Sequence, residues 1–155
     1  MNNYIKLIQP LLNSAALALF LFVIPVAMAS DSERHQRINN IDVYLGVIPS
    51  QLALEHPEMH KKNSPSRHDY HVLVALYDIN TGLRIKNAEV KASVSDSALT
   101  FEEKTLDPMH IYDALSYGNF FSMSVPGKYK IQIEIQRAGM SQAEKASFVY
   151  QRPND

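Results

Sequence analysis

The chain has 155 residues, no cysteine, and nearly equal numbers of basic and acidic side chains, 15 and 16. The absence of cysteine excludes disulfides, iron–sulfur clusters, thiolate zinc sites and a cysteine nucleophile. The balanced charge differs from the basic surface that nucleic-acid binding requires, so no nucleic-acid partner is expected. Burial of apolar surface must therefore stabilise the fold without covalent cross-links.

The N-terminal segment has the pattern of a cleavable export signal. Lys6 is its only charged side chain, an apolar run extends from Leu11 to Val26, and Ala27-Met28-Ala29 is an A-x-A cleavage site. The run is short and Pro25 interrupts it near its end, which favours cleavage over retention as a membrane anchor. We therefore expect residues 1–29 to be a signal peptide and the mature protein to be exported, with a bacterial periplasm favoured over secretion.

The mature chain begins with polar residues and then changes to strand periodicity. Residues 30–40 lack a periodic apolar pattern and are predicted to be a flexible lead-in. Every second residue from Ile41 to Val47 is apolar, which is the period of a strand. A polar insert follows from Ser50 to Asp69, in which Pro57 and Pro65 argue against a continuous helix. Long ordered loops are often functional, so this insert is a candidate part of the site.

Six further segments have strand character, and the segment Tyr70–Tyr77 is apolar on both faces, as in a central strand. Turn residues separate the segments, as in Asp78-Ile-Asn-Thr-Gly82. With no stripe of helical period, the pattern predicts an all-β protein: an antiparallel Ig-like β-sandwich of about seven strands, formed by one domain over residues 41–152. The six segments are Tyr70–Tyr77, Ala88–Val94, Leu99–Leu106, Asn119–Val125, Lys128–Gln136 and Ala146–Gln151.

Histidine and methionine provide the candidate ligands for a metal. Imidazole and thioether groups form a soft, neutral ligand set that suits copper, particularly Cu(I). If the segment that contains Met109 and His110 is extended, the two side chains point to opposite faces, and one site would use only one of them unless the backbone bulges. The candidate ligands are His56, Met59, His60, Met109 and His110, with His68 and His71 in reserve.

Two enzyme signatures are only superficially present. His56-x-Glu58-x-His60 resembles the zinc-protease motif H-E-x-x-H, but the glutamate is misplaced and Pro57 interrupts the helix that the motif needs. H-x-E also opens the zinc-deaminase signature, whose P-C-x-x-C part this chain lacks. We therefore expect a protein that is not an enzyme.

The order of segments resembles the periplasmic iron-transport accessory proteins, exported Ig-like sandwiches that accompany iron permeases. The Asn-Thr-Gly and Pro-Gly-x-Tyr turns are also similar to the YtkA-like and FixH-like exported modules. In the accessory family a loop histidine, the methionine after a proline and a histidine just before Tyr-Gly contribute to a copper site. The resemblance maps the first to His56 or His60 and the second to Met109. The third position is Ser116, for which His110 is a candidate substitute. The shared outline consists of Val43-Tyr44-Leu45, residues 54–60, Asp78–Gly82, Pro108-Met109, Tyr117-Gly118 with Met123, and Gly127-x-Tyr129.

The predicted function is that of a periplasmic metal-binding protein, with copper as the expected ion, which acts as a carrier or as an accessory to a membrane metal transporter. The alternative is a non-catalytic interaction module of the same fold that binds no metal. Such a module would present an edge strand or the 50–69 loop to another periplasmic protein.

We predict cleavage between Ala29 and Ser30, because small residues occupy the positions that signal peptidase reads. The intact mass of the exported protein should correspond to residues 30–155. A membrane-bound product that retains residues 1–29 would contradict the prediction and make the protein a tethered domain.

Overall fold

The computed structural model describes residues 34–53, 66–98, 100–111 and 113–154. These residues form two antiparallel sheets, with strand orders β1-β2-β3-β7-β6 and β5-β4-β8-β9. No helix in these ranges is long and apolar enough to cross a membrane. The predicted all-β sandwich is confirmed. Its elements are β1 His35–Ile38, β2 Ile41–Pro49, α1 Ser50–Ala53, β3 Asp69–Asp78, β4 Ala88–Ser95, β5 Phe101–Thr105, β6 Asp107–Ile111, β7 Ala114–Ser122, β8 Gly127–Arg137 and β9 Glu144–Arg152.

The core lies between the two sheets and is built from alternate residues of β2, β3, β4, β7, β8 and β9. Every second residue of β2 from Ile41 to Val47 is buried, as the sequence pattern predicted. In β8 the side chains of Ile131, Ile133 and Ile135 are also fully buried and belong to the same core cluster. Successive side chains of a strand point to opposite faces, so in these six strands one row is committed to the core and the other row faces outward.

The first strand corrects the prediction of a flexible lead-in, because residues 35–38 pair with β2. Asn39 adopts a φ of 48°, a left-handed conformation that asparagine tolerates and that a tight turn requires. Across the hairpin, Asp42 accepts hydrogen bonds from Arg37 and pairs with His35. The hydrogen bond from Arg37, followed by that of His35, lowers the pKa of Asp42. Polar pairing therefore holds this edge strand, which an apolar periodicity cannot reveal.

Besides β1, the structure contains one more strand that was not predicted, β6. It forms because the chain passes from one sheet to the other at Leu106. The sequence predicted one weak strand over Leu99–Leu106, whereas β5 ends at Thr105 and β6 begins at Asp107 in the other sheet. Leu106 is buried at the crossing and donates its N–H to the carbonyl of Val90. Pro108 is tolerated because β6 is an edge strand. The described residues thus form nine strands, compared with the seven predicted.

The tyrosine at the centre of β7 fixes the direction in which its neighbours point. The Tyr117 hydroxyl lies between the sheets, where it donates to the Ile85 carbonyl at 3.2 Å and accepts from the Ala88 N–H at 3.3 Å. Because Tyr117 faces the core, the residues on either side of it, Ser116 and Gly118, must face outward.

We predict that Ile133→Ala lowers the free energy of unfolding by about 2–5 kcal/mol, through lost burial and a cavity. Gln132→Ala, at the neighbouring exposed position, should change it by no more than about 0.5 kcal/mol. Urea unfolding of both variants measures the two values. Equal losses would be inconsistent with the observed register of β8.

Candidate metal centre

A group of buried residues lies on the outer face of the five-stranded sheet, away from the core. We call it the outer cluster; it consists of His71, Met109, Ser116, Gly118 and Phe120. His71 alternates with the core residues of β3, and Met109 is directly opposite Ser116 in the β6–β7 pairing. His71 is 0% exposed and Met109 7% exposed, yet neither belongs to the core cluster between the sheets.

The imidazole of His71 and the thioether of Met109 converge on the same point above Gly118. A Cβ atom added to Gly118 would lie 2.8 Å from His71 Nε2 and 2.9 Å from Met109 Sδ. Metal–nitrogen and metal–sulfur bonds are about 2.1 and 2.3 Å long. The two donor atoms thus lie near one common point, at distances somewhat longer than such bonds, which makes them candidate ligands of a single ion. The cradle over Gly118 and the soft donor set fit a copper ion.

Packing holds the imidazole and closes the cradle on another side. The His71 ring stacks on Phe120, with ring centroids 4.6 Å apart and planes inclined by 29°. Leu73 Cδ2 lies 3.0 Å from the position of the added Cβ. Because these groups are apolar, an ion placed here would be bound in a poorly solvated pocket by neutral ligands.

The structure separates the two neighbouring candidates of β6. Met109 is buried in the outer cluster, whereas His110 is exposed and pairs with Leu115, which belongs to the core row. This is the divergence predicted for an extended segment. The other three candidate ligands, His56, Met59 and His60, lie outside the described residues.

The reserve histidines have different positions. His68 precedes β3, and its carbonyl oxygen accepts the N–H of the core residue Met123. His71 is the imidazole that meets Met109, although its apolar surroundings in the sequence suggested only a strand interior. The sequence did contain a sign of this placement: His71 alternates with Val72 and Val74, and since those two face the core, its ring must lie on the outer face.

Charges of both signs lie near the outer cluster, since Asp107 pairs with Gly118 across β6 and β7 and Arg84 lies beside Ser116. Arg84 Nη1 donates to the Leu115 carbonyl and lies 3.4 Å from Ser116 Oγ, and its guanidinium stacks over the Tyr77 ring at 4.8 Å. Within the part of the chain that the structure describes, no three histidine, aspartate or glutamate side chains are grouped so that they could hold a metal ion. The outer cluster itself supplies one imidazole and one thioether as candidate ligands.

A second concave region, the aromatic groove, lies on the same outer face and has a volume of about 480 Å³. Tyr44 is 43% exposed there, stacks on His35 with centroids 4.4 Å apart, and meets Tyr77 edge-to-face at 5.7 Å. Both carboxylates of the groove already have partners within the protein. Asp42 binds His35 and Arg37. Asp78 accepts a hydrogen bond from Asn40. The groove therefore offers aromatic surface more than metal ligands. Its lining includes Asp42, Tyr44, Ala75, Tyr77, Asp78 and Arg84.

Comparison with protein-family models and with curated proteins finds no match. Among solved structures, the fold is similar to a DUF4426 family protein from Pseudomonas aeruginosa, with a TM-score of 0.62 and 18% identity over 79% of this chain and 100% of that one. It is also similar to a copper-bound variant of FetP from uropathogenic Escherichia coli, with a TM-score of 0.60 and 14% identity over 79% and 95% of the two chains. Copper-reconstituted P19 from Campylobacter jejuni gives a TM-score of 0.59 and 13% identity over 77% and 95%. Another matching FetP structure comes from protein expressed in the periplasm of E. coli. The resemblance predicted from the sequence is thus confirmed at the level of the fold.

We predict that Gly118→Ala lowers the free energy of unfolding by about 1–3 kcal/mol, the usual cost of overpacking. The added methyl group would collide with His71 and Met109, which are both buried and have little room to move. Urea unfolding provides the measurement.

Gly46→Ala is the matched control on the same face of the same sheet. Its added Cβ would meet Leu73 Cβ at 3.4 Å, an ordinary contact, and alanine costs less conformational entropy than glycine in a strand. We expect its stability to be unchanged or slightly higher. Equal destabilisation by the two substitutions would argue against a special close approach at Gly118.

Proposed function

We propose that this protein binds copper in the periplasm and acts as a carrier, or as an accessory to a membrane metal transporter. The observation that carries the proposal is the convergence of His71 Nε2 and Met109 Sδ over Gly118. A thioether paired with an imidazole selects copper over the harder divalent ions, particularly as Cu(I). The copper-bound neighbours of the same fold support this choice.

The insert that carries the other predicted ligands begins and ends beside the sheet that contains His71. Ser50 Oγ donates to the Ser66 carbonyl at 2.8 Å, so the two ends of the insert meet, and α1 packs against β3. His56 is three residues beyond Ala53, a reach of at most about 10 Å. We therefore include His56, Met59 and His60 as candidate ligands that would join His71 and Met109.

Export and composition fit the same role. The predicted signal peptide directs the chain to an oxidising compartment, and the lack of cysteine leaves histidine and methionine as its soft ligands. Delivery to a transporter would require contact with a membrane partner, for which the aromatic groove beside the outer cluster is a suitable surface.

The second candidate function is a protein-interaction module that binds no metal. The observation in its favour is the aromatic groove, since exposed tyrosine rings are typical of binding surfaces. The two functions differ in one measurable property, which is the affinity of the isolated protein for copper.

We predict that protein comprising residues 30–155 binds copper, and that His71→Ala, Met109→Ala and His60→Ala each weaken binding by at least about tenfold. Even outer-shell partners of metal ligands contribute that much. Competition with chelators of known affinity, in reducing buffer for Cu(I), measures the constants. The His71/Met109 double variant should lose little beyond the worse single variant, because the two ligands act on one ion.

His35→Ala and Met140→Ala are the controls, since each removes an imidazole or a thioether that lies outside the outer cluster. Both should bind copper as tightly as the parent protein. If the parent itself fails to bind copper, the proposed function is wrong and the interaction module takes its place.

A further inference from the structure

We propose that this protein docks on anionic lipid bilayers through one corner of the four-stranded sheet. The surface, which we call the basic corner, consists of Phe101, Val125, Lys128, Lys130 and Val149. The four-stranded sheet forms the side of the sandwich opposite the outer cluster and the aromatic groove. Docking therefore goes beyond the proposed function and does not depend on copper.

Strand register places an exposed apolar side chain on each side of a lysine. Ser95 pairs with Phe101 on one side and with Lys130 on the other, and Lys130 pairs with Val149. This row belongs to the outer face, because the neighbours of Ser95, Lys130 and Val149 along their strands are core residues. It crosses the whole sheet, a width of about 14 Å. Phe101 is 62% exposed and Val149 57% exposed, so both side chains are available to a flat surface.

The two lysines of the basic corner differ from the other lysines of the same outer face. Lys91 and Lys145 each contact a glutamate of that face, at 3.3 and 3.0 Å. Lys128 and Lys130 are exposed, and within the part of the chain that the structure describes neither forms an ion pair. The positive charge at this corner is therefore available to an anionic partner.

The carboxylates of the same sheet near the basic corner are engaged or lie farther away. Asp96, in the turn after β4, accepts two backbone N–H groups of its own turn at 2.9 Å. Glu102 pairs with Lys104 at 2.6 Å. Glu103 shares the outer face but pairs with Ser93, one row farther from the corner. Among the described residues of this sheet, the corner thus carries an excess of positive charge.

Separate apolar side chains beside lysines fit a bilayer better than a protein partner. A protein partner needs a continuous complementary surface, whereas the fluid interface of a bilayer accepts single apolar side chains. The lysine ammonium groups can stay at the level of anionic headgroups while their apolar neighbours insert.

Val125 adds a third apolar side chain at the same end of the sheet, and it is 58% exposed. Its turn is held in place because the hydroxyl of the core residue Tyr129 donates to the Val125 carbonyl at 2.8 Å. The surface is therefore fixed before it meets a membrane. Because a lysine near an anionic surface strengthens binding only about fivefold, we expect weak and reversible docking.

Co-sedimentation of the mature protein with lipid vesicles tests the proposal. In about 0.1 M salt, where the Debye length is about 10 Å, the protein should bind vesicles of phosphatidylglycerol and phosphatidylcholine in equal parts. It should bind vesicles of phosphatidylcholine alone at least about tenfold more weakly. Lys128→Gln/Lys130→Gln should weaken binding to the anionic vesicles by about tenfold or more.

Lys91→Gln/Lys145→Gln is the matched control for charge. The two double variants have the same net charge and change the same outer face. Lys91 and Lys145 both lie level with Glu134, about 13 Å along the sheet from Lys130. That distance exceeds the Debye length, so this variant should bind the anionic vesicles as the parent does.

Phe101→Ser tests the apolar part of the contact, with Leu83→Ser as its control. Leu83 is 68% exposed and lies between β3 and β4, at the opposite end of the sandwich. Phe101→Ser should bind the anionic vesicles several times more weakly, because less apolar surface enters the bilayer. Leu83→Ser should bind them as the parent does. Circular dichroism checks the fold of each variant.

Four outcomes would count against the proposal. A parent that does not bind the anionic vesicles, or binds neutral vesicles equally well, overturns it. Equal losses in the two lysine variants would show that net charge and not the basic corner attracts the protein. A Phe101→Ser variant that binds as the parent does would overturn the apolar insertion. A parent that ignores vesicles but binds soluble polyglutamate would assign the corner to an acidic protein instead. All arms use copper-free protein, so their results are separate from those that test the proposed function.

Discussion

The two-residue alternation of side chains along each strand is the constraint on which the rest of this structure depends. The chain has no disulfides, so its stability comes from the apolar rows that the two sheets bury between them. Once one row of a strand is committed to the core, the other row must face outward. His71 and Met109 occupy outward rows, and this commitment, rather than any local ligand motif, brings them to the same face.

Strand register then decides which outward residues meet. The change of sheet at Leu106 moves β6 beside β7, where Met109 faces Ser116. In the β3–β7 pairing, His71 faces Phe120 and so lies one diagonal step from Gly118. A slip of one residue in either pairing would turn His71 or Met109 toward the core. The absence of a side chain at Gly118 is what leaves space for both ligand atoms above the sheet.

Arg84 connects the outer cluster with the aromatic groove. Arg84 contacts the carbonyl of Leu115 and the hydroxyl of Ser116 on one side, and the ring of Tyr77 on the other. A partner that docks on the groove would therefore also touch Arg84, beside the outer cluster.

The sequence by itself determined two kinds of feature: strands in which apolar and polar residues alternate, and turns whose residues tolerate a left-handed backbone. The inward rows of β2 and β8 are buried as predicted, and Gly82 has the positive φ, 67°, that the Asp78–Gly82 turn requires. It also predicted that Met109 and His110 diverge. These features depend on local backbone geometry, so the residues of one short segment are enough to predict them.

Only the tertiary structure decided the features that depend on which strands pair and on what holds them together. Strand β1 is held by charged pairs across a hairpin, and β6 exists because the chain crosses to the other sheet, so neither carries a local apolar signature. The same reason explains why His71 was a reserve ligand in the sequence. Its proximity to Met109 and Gly118 comes from the pairing of β3 with the β6–β7 hairpin, which lies far from β3 along the chain. The contribution of His56, Met59 and His60 stays a prediction, because it depends on the position of a segment outside the described residues.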